Sequence, residues 1–312
     1  MAQNWALAGM VAALLLVATT IGQIIKSQPQ LGLNPAAVAA FNGRLRSWWI
    51  ICCMLSVAFL PITPAVTVAL FGGLSFWALR EFITLTPTRL GDHRALFWVF
   101  FLFTPLQYVL VAMDLYELYS ILIPVYAFLF IPARVAIAGD PKRFLERVAK
   151  IQSGLLVCVY CLSFAPALLY LEEIDEADRP RLLFFFVTMA LLSEALQYIW
   201  SRTYGQHVIA PAINATRTWE GLLGGTASTA LVAWALSWFT PFSQWEAALM
   251  GMIVAVMGFA GAMTMSAIKR DRGVQDYGTL IEGHGGVLDR IDAICFAAPV
   301  FYHVTQLLPF NS

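Results

Sequence analysis

Residues 151–171 read Ile151-Gln-Ser-Gly-Leu-Leu-Val-Cys158-Val-Tyr-Cys161-Leu-Ser-Phe-Ala-Pro-Ala-Leu-Leu-Tyr-Leu171, without one charged side chain. A bilayer core needs about 20 mostly apolar residues per helix, so this stretch is long enough to cross one. Comparable runs lie near 5–24, 48–61, 63–79, 95–112, 117–133, 182–201, 221–240, 245–264 and 292–308. The 48–79 stretch is too long for one span, and Pro61 and Pro64 divide it into a tight two-helix hairpin. Met1 to Ile24 holds no Lys or Arg, so it lacks the basic start of a cleaved signal peptide and is read as a helix. The expected fold is an all-α polytopic integral membrane protein of about ten transmembrane helices, or nine if one short hairpin is misread.

Composition agrees. Of 312 residues, 60% are hydrophobic and only 12% charged, with a mean hydropathy of +0.73. That is about half the charged share of a soluble domain, and a soluble core of this size has no room for so much apolar surface. The 19 basic and 19 acidic residues balance, so no bulk basic field points to nucleic acid.

The basic residues also give a direction. With both termini outside, the loops 25–47, 80–94, 134–150, 202–220 and 265–291 face inward and hold 17 of the 19 Lys and Arg. Arg179 and Arg181 are the exceptions, in a loop with Glu172, Glu173, Asp175, Glu176 and Asp178. The positive-inside rule therefore places those five loops in the cytoplasm of a multi-pass cell-membrane protein, here expected in a bacterial inner membrane. Lys142, Arg143, Arg147 and Lys150 are read as topology signals and anionic-lipid contacts. Cys158 and Cys161, inside an apolar run, are read as inert buried thiols.

The polar residues concentrate between Ser266 and Asp292. Ser266, Lys269 and Arg270 share one helix face by their spacing. Gly283-His284-Gly285-Gly286 lets backbone N–H groups approach a ligand closely, as phosphate-binding loops require. Asp289 and Asp292 are three apart where the last span begins, a crowding of carboxylates that a hard divalent cation explains. Arg290 adds a planar fork suited to phosphate oxygens. A charged loop that only sets topology is the plain alternative. Cations, carboxylates and glycines together in one short stretch favour a metal-plus-phosphate site instead.

This stretch resembles the signature of phosphatidate cytidylyltransferases, S-x-x-K-R-x4-K-D-x-G-x-x-[LIF]-[PG]-x-H-G-G-x-x-D-R-x-D. Ser266, Lys269, Arg270, Asp276, Gly278, Ile281, His284, Gly285, Gly286, Asp289, Arg290 and Asp292 match without a gap. Thr218-Trp219-Glu220-Gly221, with Gly224-Gly225, is similar to that family's T-W-E-G-x-x-G-G, and Glu194, Tyr198, Arg202 and Gly205 to its D-x-x-A-Y-x-x-G-R-x-x-G. The likeness covers roughly 190–295, which divides the chain into N-terminal transmembrane helices, 1–180, and a C-terminal catalytic region, 181–312. There are departures. Gln275 replaces a lysine, Glu282 a proline or glycine, Asn214-Ala215-Thr216-Arg217 a Ser-Pro-Lys-Lys, Glu194 an aspartate, and Ala262 the metal-binding aspartate of many bacterial members. Arg272 or Arg217 could supply the charge that Gln275 lacks.

The resemblance implies transfer of a cytidylyl group from CTP to phosphatidate, giving CDP-diacylglycerol and diphosphate in phospholipid biosynthesis. It implies Mg2+, with a second cation possible, and a homodimer in the bilayer. Lys269, Arg270, Asp289 and Arg290 are the expected catalytic residues. Ser266, Arg217, Thr218, Trp219, Glu220, His284, Gly285 and Gly286 would bind substrate, and Asp289, Asp292, Asp276 and Glu194 would hold metal. Arg202 is a structural partner that could instead claim Glu194, and His207 and His303 look like ordinary polar side chains. Two rivals stay open: a cytidylyl- or phosphoryl-transferase for another lipid phosphate, and a lipid transporter or inactive homologue.

Overall fold

The computed structural model describes residues 19–20, 64–85, 88–274, 276–277 and 286–308. The expected spans at 5–24 and 48–61 lie outside them apart from Thr19 and Thr20, as do Pro61, Gln275, Ile281, His284 and Gly285. The described chain is α1 Pro64–Thr84, α2 Leu90–Ala112, α3 Tyr116–Ala136, α4 Phe144–Tyr170 and α5 Arg179–Tyr204. A hairpin of β1 Val208–Ala210 and β2 Asn214–Thr218 follows, then α6 Trp219–Ala235, α7 Gln244–Asp271 and α8 Leu288–Leu307. Each remaining expected span coincides with one of these helices. Six of them, α1 to α5 and α7, are long and apolar enough to cross a membrane. The protein is therefore a helical membrane protein. The all-α expectation needs one correction, the hairpin, which pairs Val208 with Thr218 and Ala210 with Asn214 across an irregular register.

Local chemistry starts the helices. Pro64 and Pro180 open α1 and α5, where a missing N–H costs nothing. Ser243 and Glu246 form a reciprocal capping box on α7. Wide π-type turns interrupt α2 at Val99–Phe103, α3 at Leu122–Ala127 and α4 at Leu156–Cys161. The first two lie beside or across Pro105 and Pro124, whose rings disturb the regular ladder. Both thiols of the C-x-x-C in α4 are free.

Helices α5, α6, α7 and α8 pack successively, and α8 also meets α4 and α1. Gly225 lets α6 lie directly on α5, since a methyl there would sit 2.7 Å from the Gln197 backbone. Phe186 and Phe301 stack α5 on α8 with ring centroids 4.8 Å apart. Ile291, Asp292, Ala293, Cys295 and Ala297 are buried on several faces of α8 at once, so the helix carrying the signature aspartates is wedged between the two halves.

Arg147 corrects the reading of its basic cluster. Only 5% of its side chain is exposed, and its guanidinium meets Asp92 at 2.6 Å and the carbonyls of Asp140 and Lys142 at 2.8 and 3.0 Å. This is a structural clamp between α2, α4 and the intervening loop. Asp92→Ala is expected to lower the melting transition of detergent-purified protein, at a cost of about 3 kcal/mol, because it leaves the buried guanidinium with only the more distant Asp140 carboxylate, at 3.4 Å, as a counter-ion. Unchanged melting would show that the pair contributes nothing.

Candidate active site

A cavity of about 210 Å³ opens where α5 and α7 end and α8 begins. It is lined by Glu194 and Tyr198 of α5, Asn214, Thr216 and Arg217 of β2, Ala262, Ser266 and Lys269 of α7, Asp276, and Asp289, Arg290 and Asp292 of α8. Segments far apart in sequence thus meet in one place, as the signature requires. The hairpin explains how Arg217 enters. Thr218 ends β2 and caps α6 by accepting from the Gly221 N–H at 3.1 Å. Arg217, one residue earlier, donates to Gln197 Oε1 at 3.1 Å and pairs with Glu194 at 3.6 Å. The ion-pair partner of Glu194 is therefore Arg217 and not Arg202.

Asp289 is bonded through both carboxylate oxygens. Its Oδ1 takes the Lys269 ammonium at 2.7 Å, and its Oδ2 accepts the backbone N–H groups of Tyr277 at 2.8 Å and Gly286 at 3.0 Å. Lys269 also sits 5.5 Å from the Tyr277 ring centre. Ser266 accepts from the Asn214 amide at 3.2 Å, and Asp292, 8% exposed, accepts from the Ala293 N–H at 2.7 Å.

Other expected residues have different surroundings. Arg270 donates to the Ile213 carbonyl at 3.2 Å, fastening α7 to the hairpin turn, and does not line the cavity. Thr218, Trp219 and Glu220 are outside the lining as well. Glu220 accepts from the backbone N–H groups of Gln206 and His207 and from His207 Nδ1 at 2.6 Å. That imidazole contact holds its carboxyl down at about 2. The T-W-E segment is thus tied to the start of the hairpin, and His207 has a partner that sequence gave no reason to expect. His303, at the other end of the bundle, hydrogen-bonds the Tyr116 hydroxyl at 3.0 Å. Arg272 pairs with Asp271 at 3.1 Å and Glu146 at 3.6 Å, so Arg217, not Arg272, is the cavity's extra cation.

The donor types suit a hard divalent cation, since Glu194, Asp276, Asp289 and Asp292 all line the same space. Among the described residues, however, no three acidic, His or Cys side chains gather closely enough to hold a metal. Asp289 has both oxygens engaged by Lys269 and two backbone N–H groups. Ala262 lines the same cavity.

Cations and carboxylates around an opening at the end of apolar helices define a membrane-embedded protein built to handle phosphate groups. The chain belongs to the cytidylyltransferase family, whose model matches residues 42–308, and is accordingly a nucleotidyltransferase. The uncharacterized protein YnbB of Escherichia coli (strain K12) is 35% identical over 262 residues, 83% of this chain and 85% of that protein. A phosphatidate cytidylyltransferase of Synechocystis is 38% identical over 126 residues, 37% of this chain and 43% of that enzyme. One from Mycobacterium leprae is 33% identical over 182 residues, 57% of this chain and 56% of that enzyme. The chain thus spans about half the length of these two enzymes.

Proposed function

We propose that the protein is a phosphatidate cytidylyltransferase. A phosphate oxygen of phosphatidate attacks the α-phosphorus of CTP, the α–β phosphoanhydride bond breaks, and diphosphate leaves with CDP-diacylglycerol formed. The observation that carries this reading is the convergence of Ser266, Lys269, Asp276, Asp289, Arg290 and Asp292 with Arg217 on one cavity at the end of apolar helices.

The chemistry fits those groups. Two anions must meet, so Lys269, Arg217 and Arg290 would bind phosphate oxygens and stabilise the charge of the transition state. Ser266 would hydrogen-bond one such oxygen, and the Gly285-Gly286 backbone would close on the triphosphate. His284 would orient substrate, because the phosphate nucleophile is already ionised and needs no general base. Asp292, Glu194 and Asp276 would hold Mg2+, which supplies further charge neutralisation when bound. Asp289 would anchor Lys269 and the loop ends.

The test is CTP-dependent diphosphate release by detergent-purified protein across a panel of lipid phosphates. Turnover with phosphatidate above all others supports the reading, and preference for another lipid phosphate or none removes it.

The loops 202–220 and 265–291 should share the cytoplasmic side. Cysteines introduced there should resist labelling by an impermeant reagent in intact cells and react after permeabilisation. Ready labelling in intact cells would reverse the orientation. The proposed homodimer would appear as twice the chain mass by light scattering of the detergent complex.

A further inference from the structure

Glu81 is 5% exposed on α1, far upstream of the signature. Its Oε1 accepts the Val287 N–H at 3.0 Å and the Trp77 indole N–H at 3.2 Å, and its Oε2 accepts the Leu288 N–H at 2.8 Å. Val287 is the N-cap of α8 and Leu288 its first residue, and Val287 has no side chain to cap the helix itself. Backbone N–H groups in the first turn have no partner within a helix, and a negative charge there also meets the positive end of the helix dipole. Glu81 therefore satisfies from α1 the N–H groups of the N-cap and first helical residue, which a Ser, Thr or Asp at position 287, reaching the second or third, would leave unpaired.

We infer that Glu81 is a positioning residue of the active site, holding the start of α8 so that Asp289, Arg290 and Asp292 face the cavity. This rests on the phosphatidate cytidylyltransferase reading for its catalytic consequence. The contact itself rests on geometry alone.

Gly286 supports it independently. A methyl built there would collide with both Glu81 carboxylate oxygens and lie 2.7 Å from their carbon. A side chain there would push the Glu81 carboxylate off its three donors. The second glycine of Gly285-Gly286 is thus explained by a contact with the N-terminal half, whatever it also does for phosphate. All three partners of Glu81 are donors, which demands an acceptor-only group. Glutamine keeps the size but turns an NH2 toward one of them.

The experiment uses the full chain in detergent. Glu81→Gln should speed amide hydrogen exchange at Val287 and Leu288, measured without substrate. It should also lower kcat roughly 10–100-fold, as loss of an outer support does, with KM for CTP changed much less. Gly286→Ala should cost activity in the unaltered protein but add less than about twofold in a Glu81→Ala background, where the collision is gone. Unchanged exchange in Glu81→Gln, or an equal cost of Gly286→Ala in both backgrounds, overturns the inference. A protein with no activity on any lipid phosphate would defeat the functional reading while exchange still decided the Glu81 contact.

Discussion

Asp292→Asn is expected to lower cytidylyl transfer by a factor on the order of 10³, the scale lost when a preorganised charge contact in an active site is removed. Folding should not suffer. Asp292 is 8% exposed and accepts from the Ala293 N–H at 2.7 Å, a bond that asparagine's carbonyl preserves. The rest of its charge is an expense to the fold, because burying a carboxylate without a full set of partners is costly. The melting transition should therefore hold or rise as activity disappears. Asp271→Ala is the control. Its carboxylate is 70% exposed, pairs locally with Arg272 at 3.1 Å and lies outside the cavity, so activity should stay within about twofold. Retention of a tenth of the activity by Asp292→Asn, or an equal loss in Asp271→Ala, would mean that the reacting groups are elsewhere.

The residues that sequence identified for this site were legible because they lie in one continuous register. From Ser266 to Asp292 the spacing of cations, glycines and carboxylates is fixed by a single segment, and the cavity gathers Ser266, Lys269, Asp276, Asp289, Arg290 and Asp292 from it, while Arg270 turns to the hairpin. The apolar runs were legible for a similar reason, since bilayer thickness sets one length for every span.

What was missed depends on partners distant in the chain. Glu81 looks like a charge at a helix end, and nothing in its neighbourhood announces a bond to residues two hundred positions later. Arg147 reads as one of four basic residues in a loop, yet Asp92 on another helix makes it a buried clamp. The hairpin was illegible for a different reason. Its strands of three and five residues are too short to establish an alternating pattern. Without it nothing shows that Thr218 caps α6 and Glu220 ties back to His207, beside the strand that carries Arg217 to the cavity.

Lys269→Met should be the most damaging single change on α7, because it removes two things together. The first is a cation beside the proposed phosphates, worth on the order of 10²–10³ in kcat/KM. The second is the partner of Asp289, whose side chain is 9% exposed. Left with only the Tyr277 and Gly286 N–H groups, that carboxylate becomes a buried charge without a counter-ion, at a cost of about 3 kcal/mol. A second substitution separates the two effects. Asp289→Asn added to Lys269→Met neutralises the stranded charge while keeping a carbonyl to accept from Tyr277 and Gly286. The double variant should therefore recover melting to within about 1 kcal/mol of the unaltered protein. It should recover no activity, since no ammonium returns to the cavity. Melting in detergent and diphosphate release measured on the same preparations read both axes. If the double variant regains turnover with its stability, the pair is a structural tie and phosphate binding belongs to Arg217 and Arg290 alone. If Lys269→Met is both stable and active, the ion pair has neither role, and the cavity is not where CTP binds.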